Sequence, residues 1–203
     1  MIWKTKRFRS KIITDIGRQL GGDKMAENRE LQVFLFLSEI LGRNIVGATG
    51  ETLGRVYDLT AEFVEPYPIV TGIILSSAQK KSPLFLPWND VLDMDLSISV
   101  STESIAELSP LHLKEGELLL KDALLDKQIV DTYGAKIRRV NDLQFLKARQ
   151  RLHLVHVDVG FRGLIRRVGL IKLLDVILQG LFDYKLTNNF ISWKFTQPLN
   201  SPD

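Results

Sequence analysis

The 203-residue sequence predicts a mainly β protein: two tandem small antiparallel β-barrels, with a helical insertion in the second. Three observations carry that expectation. The chain repeats itself; the repeated text alternates apolar and polar residues between glycine-bearing turns; and sustained helical spacing is confined to one late stretch.

The repeat comes first, because it sets the architecture. Residues 38–59 lie over residues 122–143 at a shift of 84 residues without a gap, SEILGRNIVGATGETLGRVYDL against DALLDKQIVDTYGAKIRRVNDL. Identities fall at Leu41/Leu125, Ile45/Ile129, Val46/Val130, Gly50/Gly134, Arg55/Arg139, Val56/Val140, Asp58/Asp142 and Leu59/Leu143. The same shift sets residues 70–73 over 154–157.

Each copy then reads as a series of short strands. A first strand (44–46, 128–130) runs into a turn whose glycine, Gly50 or Gly134, is expected to supply a positive φ. A second strand (52–59, 136–143) alternates as a half-buried strand should, and a β-rich run follows at 69–75 and 152–159. Aromatic strand text closes each copy, with Trp88 and Trp193 in equivalent places. In the second copy this closing strand comes about 21 residues later than the repeat requires, so an insertion lies at 161–184. There Leu164, Val168, Ile171, Leu174, Leu178 and Leu181 form one apolar stripe at helical spacing.

The resulting division is a basic N-terminal tail or helix at 1–34, a first module at 35–96, an acidic connector at 97–120 and a second module at 121–200. Residues 113–120, at the connector's end, suit either a short helix or an extended packing segment.

Composition bounds the chemistry. The chain has no cysteine, which excludes disulfides, thiol nucleophiles and thiolate metal sites and fits a cytoplasmic protein. The apolar run at 31–41 is shorter than the roughly 20 residues needed to cross a bilayer. The net charge of +3 conceals a segregated distribution. Acids dominate 90–122 (Asp90, Asp93, Asp95, Glu103, Glu107, Glu115, Glu117, Asp122), and bases dominate 147–172. Such asymmetry suits an acidic partner or an anionic surface, or two patches that face each other within the fold.

Catalytic, cofactor-binding and metal-ligating residues are not expected. His153 and His156 stand three apart on a strand and so point to opposite faces. Gly42, Gly47, Gly50 and Gly54 lie in hairpin text and open no helix, so no phosphate loop is formed. Asp58 and Asp142 occupy matching strand ends, which favours a structural task such as accepting backbone N–H groups. Arg162, Arg166 and Arg167 oppose the dipole of a helix beginning there, so they are candidates to meet a partner together with Leu164, Val168, Ile171, Leu174 and Leu178. Trp88 and Trp193 are candidate aromatic anchors, with packing at a barrel end as the competing role.

The stretches LSEILGRNIVGATGETLGRVYDL, PYPIVTGIIL and FLPWNDV resemble the PRC-barrel family, as do LLDKQIVDTYGAKIRRVNDL, LHLVHVDVGFRGLIRRVG and FISWKFTQPL. The resemblance spans about residues 35–199. It is nearest to the paired barrels that precede a magnesium-transporter-type helical domain and CBS domains in certain bacterial proteins. It implies a six-stranded barrel per copy and a non-catalytic, protein-binding role, with no catalytic residues to transfer. The chain ends at Asp203, where such proteins continue into the helical and CBS regions, so it is read as either a stand-alone member or a fragment.

The expected function is therefore a cytoplasmic adaptor or regulatory module, associated with membrane transport, that binds another protein or itself. RNA or ribosome binding through the basic run is a second reading, weakened by poor aromatic interleaving. Peripheral attachment to an anionic membrane through the N-terminus and the inserted helix is a third. No small-molecule substrate or cofactor is indicated.

Overall fold

The computed structural model describes residues 33–77, 82–101, 108–148, 150–167 and 189–198. The first repeat contains β1 (Val33–Phe36), the helical turn α1 (Leu37–Ile40), β2 (Asn44–Val46), β3 (Thr52–Glu62), β4 (Ile69–Ser76), β5 (Leu84–Pro87) and β6 (Val91–Met94). Strands β7 (Ile98–Val100) and β8 (Ser109–Pro110) follow. The second repeat contains β9 (Glu117–Leu119), α2 (Leu120–Leu124), β10 (Gln128–Asp131), β11 (Lys136–Arg139), β12 (Asp142–Ala148), β13 (Arg151–Asp158), α3 (Phe161–Arg167), β14 (Phe190–Ser192) and β15 (Thr196–Pro198). A single 3-10 turn bears each repeated tryptophan, Trp88–Asp90 and Trp193–Phe195.

The protein is mainly β. Twelve strands from both repeats form one sheet, which curls as a half-barrel, and β11, β10 and β15 form a small second sheet. The repeat is visible in the strand registers. Asp58 opposes Ile74 on β3–β4, and their counterparts Asp142 and Asp158 oppose each other on β12–β13. A register shift at Thr60/Ala61 recurs at Gln144/Phe145. Gly72 pairs with Pro87, and the matching His156 pairs with Ser192.

The two repeats are stitched together in two ways. Strands β4 and β13 meet antiparallel at Ile69 and His153, with Leu154 N–H donating to Pro68 O at 2.9 Å. These two residues are each other's repeat counterparts, so a local two-fold axis passes through the pair. The leading strands are also exchanged. The first repeat's β1 adds to β12 of the second, and the second repeat's β9 adds to β3 of the first. At the connector's end β9 covers 117–119 and Leu120 opens α2, so an extended segment runs directly into a helical turn.

One apolar core runs through both repeats. Leu37, Ile40, Ile45, Leu59 and Ile73 from the first are fully buried beside Leu120, Ile129, Val140, Leu143 and Phe145 from the second. A smaller cluster of Tyr67, Leu146, Ala148 and Val155 packs on the other sheet face, against Phe34 and Trp193. Chain approach is close where β3 crosses β4. A methyl group on Gly54 would fall inside contact distance of the Ser76 carbonyl oxygen, which is backbone and yields little. Gly54→Ala is therefore expected to lose about 1–3 kcal/mol. Urea unfolding should show a lower midpoint with an unchanged slope.

Two expectations need correction. The second repeat does not carry a single strand over 136–143; it carries β11 and β12, separated at Val140 and Asn141. In the first repeat β4 continues to Ser76 and holds Arg55 in the ladder. In the second, β13 stops at Asp158 and the chain turns at Gly160 into α3, so β11 has no strand on its outer side among the described residues. The turn glycines also differ. Gly50 has φ +85°, as expected, but the positive φ of the second turn belongs to Ala135, at 49°. A Cβ on Gly134 would instead collide with the Asp131 carboxylate, which accepts the Tyr133 and Gly134 N–H groups at 3.1 and 2.9 Å.

Candidate functional site

The repeated aspartates make a reciprocal lock. Asp58 is buried and accepts Leu59 N–H at 2.6 Å, Lys121 N–H at 2.8 Å and Asp122 N–H at 3.3 Å. Asp142, equally buried, accepts Leu143 N–H at 2.9 Å, Ser38 N–H at 3.1 Å and the Ser38 hydroxyl at 2.6 Å. Each carboxylate thus satisfies the first N–H groups of the helical turn belonging to the other repeat. Burial pushes the Asp58 carboxyl up, against those backbone donors.

Among the described residues, only the second lock includes a cation. Arg166 on α3 reaches Asp142 at 2.9 Å and Asp158 at 3.3 Å, and its guanidinium stacks 3.4 Å over the Phe36 ring. Both carboxylates are fully buried, and the Arg166 side chain is 8% exposed. The Asp158 carboxyl is raised, chiefly by burial; Gly160 N–H and Arg166 oppose the rise, and the neighbouring Asp142 adds to it. Arg166 was a candidate for partner contact; it is instead committed to an internal ion pair that joins both repeats to α3.

The other candidates have different positions. Arg167 is partly exposed and pairs with Asp126 at 2.8 Å, and that guanidinium foremost holds the Asp126 carboxyl below its ordinary range. Leu164 is exposed on α3. The Arg162 side chain, Val168, Ile171, Leu174 and Leu178 lie outside the described residues, as does most of the 161–184 insertion and of the 1–34 tail. Trp88 is buried, and its indole N–H donates to Gln150 O at 2.8 Å, so it serves packing and not exposed anchoring. Trp193 is half-buried against Phe63, with ring centroids 5.3 Å apart.

His153 is fully buried, and neither ring nitrogen has a hydrogen-bond partner. Burial, reinforced by Arg151, lowers its pKa to about 4. His156 is buried with Nδ1 2.9 Å from Gln144 Oε1. Among the described residues no group of three or more His, Asp or Glu could hold a metal ion, and no helix is long and apolar enough to cross a membrane.

Two surface features remain. An open cleft of about 470 Å³ lies between the repeats, lined by the counterparts Leu41 and Leu125 and by Lys121, Asp122, Asp126, Lys127 and Arg167. Its opposite charges largely answer one another. The small sheet presents the second feature. Tyr133 is 85% exposed, Ile137 60% and Phe195 39%, and the Tyr133 and Phe195 rings touch at 5.6 Å. Every residue of β11, Lys136-Ile137-Arg138-Arg139, is exposed. Sequence reasoning passed over this patch because Tyr133 and Phe195 are 62 positions apart and meet only when β15 pairs with β10. The apolar residue at 137 amid three bases was the available signal. No family model matches the chain, and no curated protein matches it.

Proposed function

We propose that this chain is a non-catalytic protein-binding module of PRC-barrel type, acting as an adaptor or regulatory unit, and that it makes contact through the small sheet. The observation that carries the reading is the exposed patch of Tyr133, Ile137 and Phe195 beside the basic strand β11. Aromatic residues and arginine at the centre of a surface patch are the residue types that dominate protein contacts. The ionised groups packed into the interior support the same reading. Asp58, Asp142, Asp158 and Arg166 are all engaged in holding the repeats together, so they are unavailable for chemistry at a surface.

The barrel assignment has support in the curled sheet. Each repeat continues its own curled strands with one leading strand from the other, β9 on β3 and β1 on β12. A cytoplasmic setting next to a membrane transport system follows from the sequence resemblance.

The test is affinity capture from extracts of the source cells with the chain and with Tyr133→Ser/Ile137→Ser. The expected result is a specific protein held by the parent chain and reduced about tenfold or more by the variant, a loss of at least about 1.4 kcal/mol. Equal recovery by both would overturn the assignment of the patch.

A further inference from the structure

Among the described residues, β11 stands at one end of the small sheet and β6 at one end of the large one, and the two edges carry opposite charge. On β11, Arg139 is engaged with Asp126, while Lys136 and Arg138 have no ion pair among the described residues. On β6 and just beyond it, Asp93 and Asp95 are exposed and equally without an ion pair there. Each edge has apolar residues in the open beside its charges: Ile137 and Tyr133 on one, Leu92 and Leu96 on the other.

Both edges arise where the repeats depart from each other. In the second repeat the closing strand β15 pairs directly with β10. In the first, β7 stands between β2 and β6 and pushes β6 outward. In the second, the turn at Gly160 into α3 ends β13 at Asp158, so Arg139 lacks the strand partner that Ser76 gives its counterpart Arg55. These departures leave a basic edge at β11 and an acidic one at β6, where Arg43 donates to the Met94 and Asp95 carbonyl oxygens and leaves both carboxylates outside any ion pair among the described residues.

Like charges on a strand edge prevent that edge from pairing with its own copy. They do not prevent pairing with an edge of opposite sign. We propose that β6 of one copy adds to β11 of another, with Asp93 and Asp95 facing Lys136 and Arg138, so that copies associate head to tail. This rests on the protein-binding reading above and names the partner as a second copy of this chain. The contact is heterologous and leaves a free β6 and a free β11 at the ends of every assembly, so it can extend. Each strand is four residues long, so the contact is weak and dynamic.

Sedimentation of the whole chain over a range of concentrations tests this. Average mass should climb continuously with concentration at low salt. It should fall back near 1 M salt, where the screening length is about 3 Å. Lys136→Glu/Arg138→Glu and Asp93→Lys/Asp95→Lys should each weaken association by about tenfold or more while retaining the parent circular dichroism. Mixing the two variants should restore it, because each then offers the other a complementary edge. A fixed monomer at all concentrations, or association indifferent to both reversals, would overturn the proposal. A discrete dimer that cross-links away from both edges would overturn it too, yet leave a protein-binding role standing. A fixed monomer combined with equal capture by the Tyr133→Ser/Ile137→Ser variant would remove both.

Discussion

Asp142→Ala is expected to destabilise the protein by about 3–5 kcal/mol, the range seen when a buried charge loses its partner. The substitution strands four donors at once. Ser38 loses the acceptor for both its N–H and its hydroxyl, Leu143 N–H loses its bond, and Arg166 loses the nearer of the two carboxylates it reaches. A buried donor without an acceptor costs about 1–3 kcal/mol by itself, and a buried guanidinium short of a carboxylate costs more. Asp142→Asn, which preserves shape and one acceptor oxygen, should lose less. Because Arg166 and Asp142 touch, Asp142→Ala/Arg166→Met should fall short of the sum of its single variants. Denaturant midpoints for the four proteins check this. Equal losses for alanine and asparagine would show that the hydrogen bonds to Ser38 carry little of the lock.

The second large effect concerns acid. His153 is held neutral in the folded chain, with its pKa lowered from 6.5 to about 4. As pH falls below 6.5, the unfolded chain takes up this proton before the folded chain does. The contribution of His153 to stability is therefore fully present above about 6.5 and is lost progressively down to about 4. The loss amounts to on the order of 3 kcal/mol. Asp58 and Asp158 act in the opposite sense, because their raised carboxyls bind protons more readily in the folded state as pH falls towards 3.8. The comparison with His153→Leu isolates the histidine. That variant should match or exceed the parent at pH 7, since it removes a buried ring with no hydrogen-bond partner, and it should lose far less between pH 6.5 and 4.5. Parallel pH profiles for the two proteins would contradict the assignment.

Much of the repeat was legible because identical residues recur at identical structural posts. Leu41 and Leu125 end the two helical turns, and Asp58 and Asp142 receive the N–H groups that open them. A sequence states that such residues are equivalent, but it does not state to which copy each binds. The exchange of β1 and β9 satisfies the same periodicity as two self-contained units would, so nothing in the alternation of apolar residues distinguishes the two. The role of Arg166 was hidden for a related reason. Cations early in a predicted helix invite a surface explanation, whereas this one answers two carboxylates that approach it only after β12 and β13 pair. A hint was present in Asp158, which stands fully buried where the first repeat has Ile74. An acid in that setting calls for a cation.

The exchanged leading strands have a consequence for one repeat taken alone. A polypeptide of only one such repeat would own a strand with no sheet to receive it and a sheet lacking that strand. Two identical polypeptides of this kind would complete each other by mutual embrace, around the axis that now runs between Ile69 and His153. The present molecule has the geometry of such a pair held within one chain.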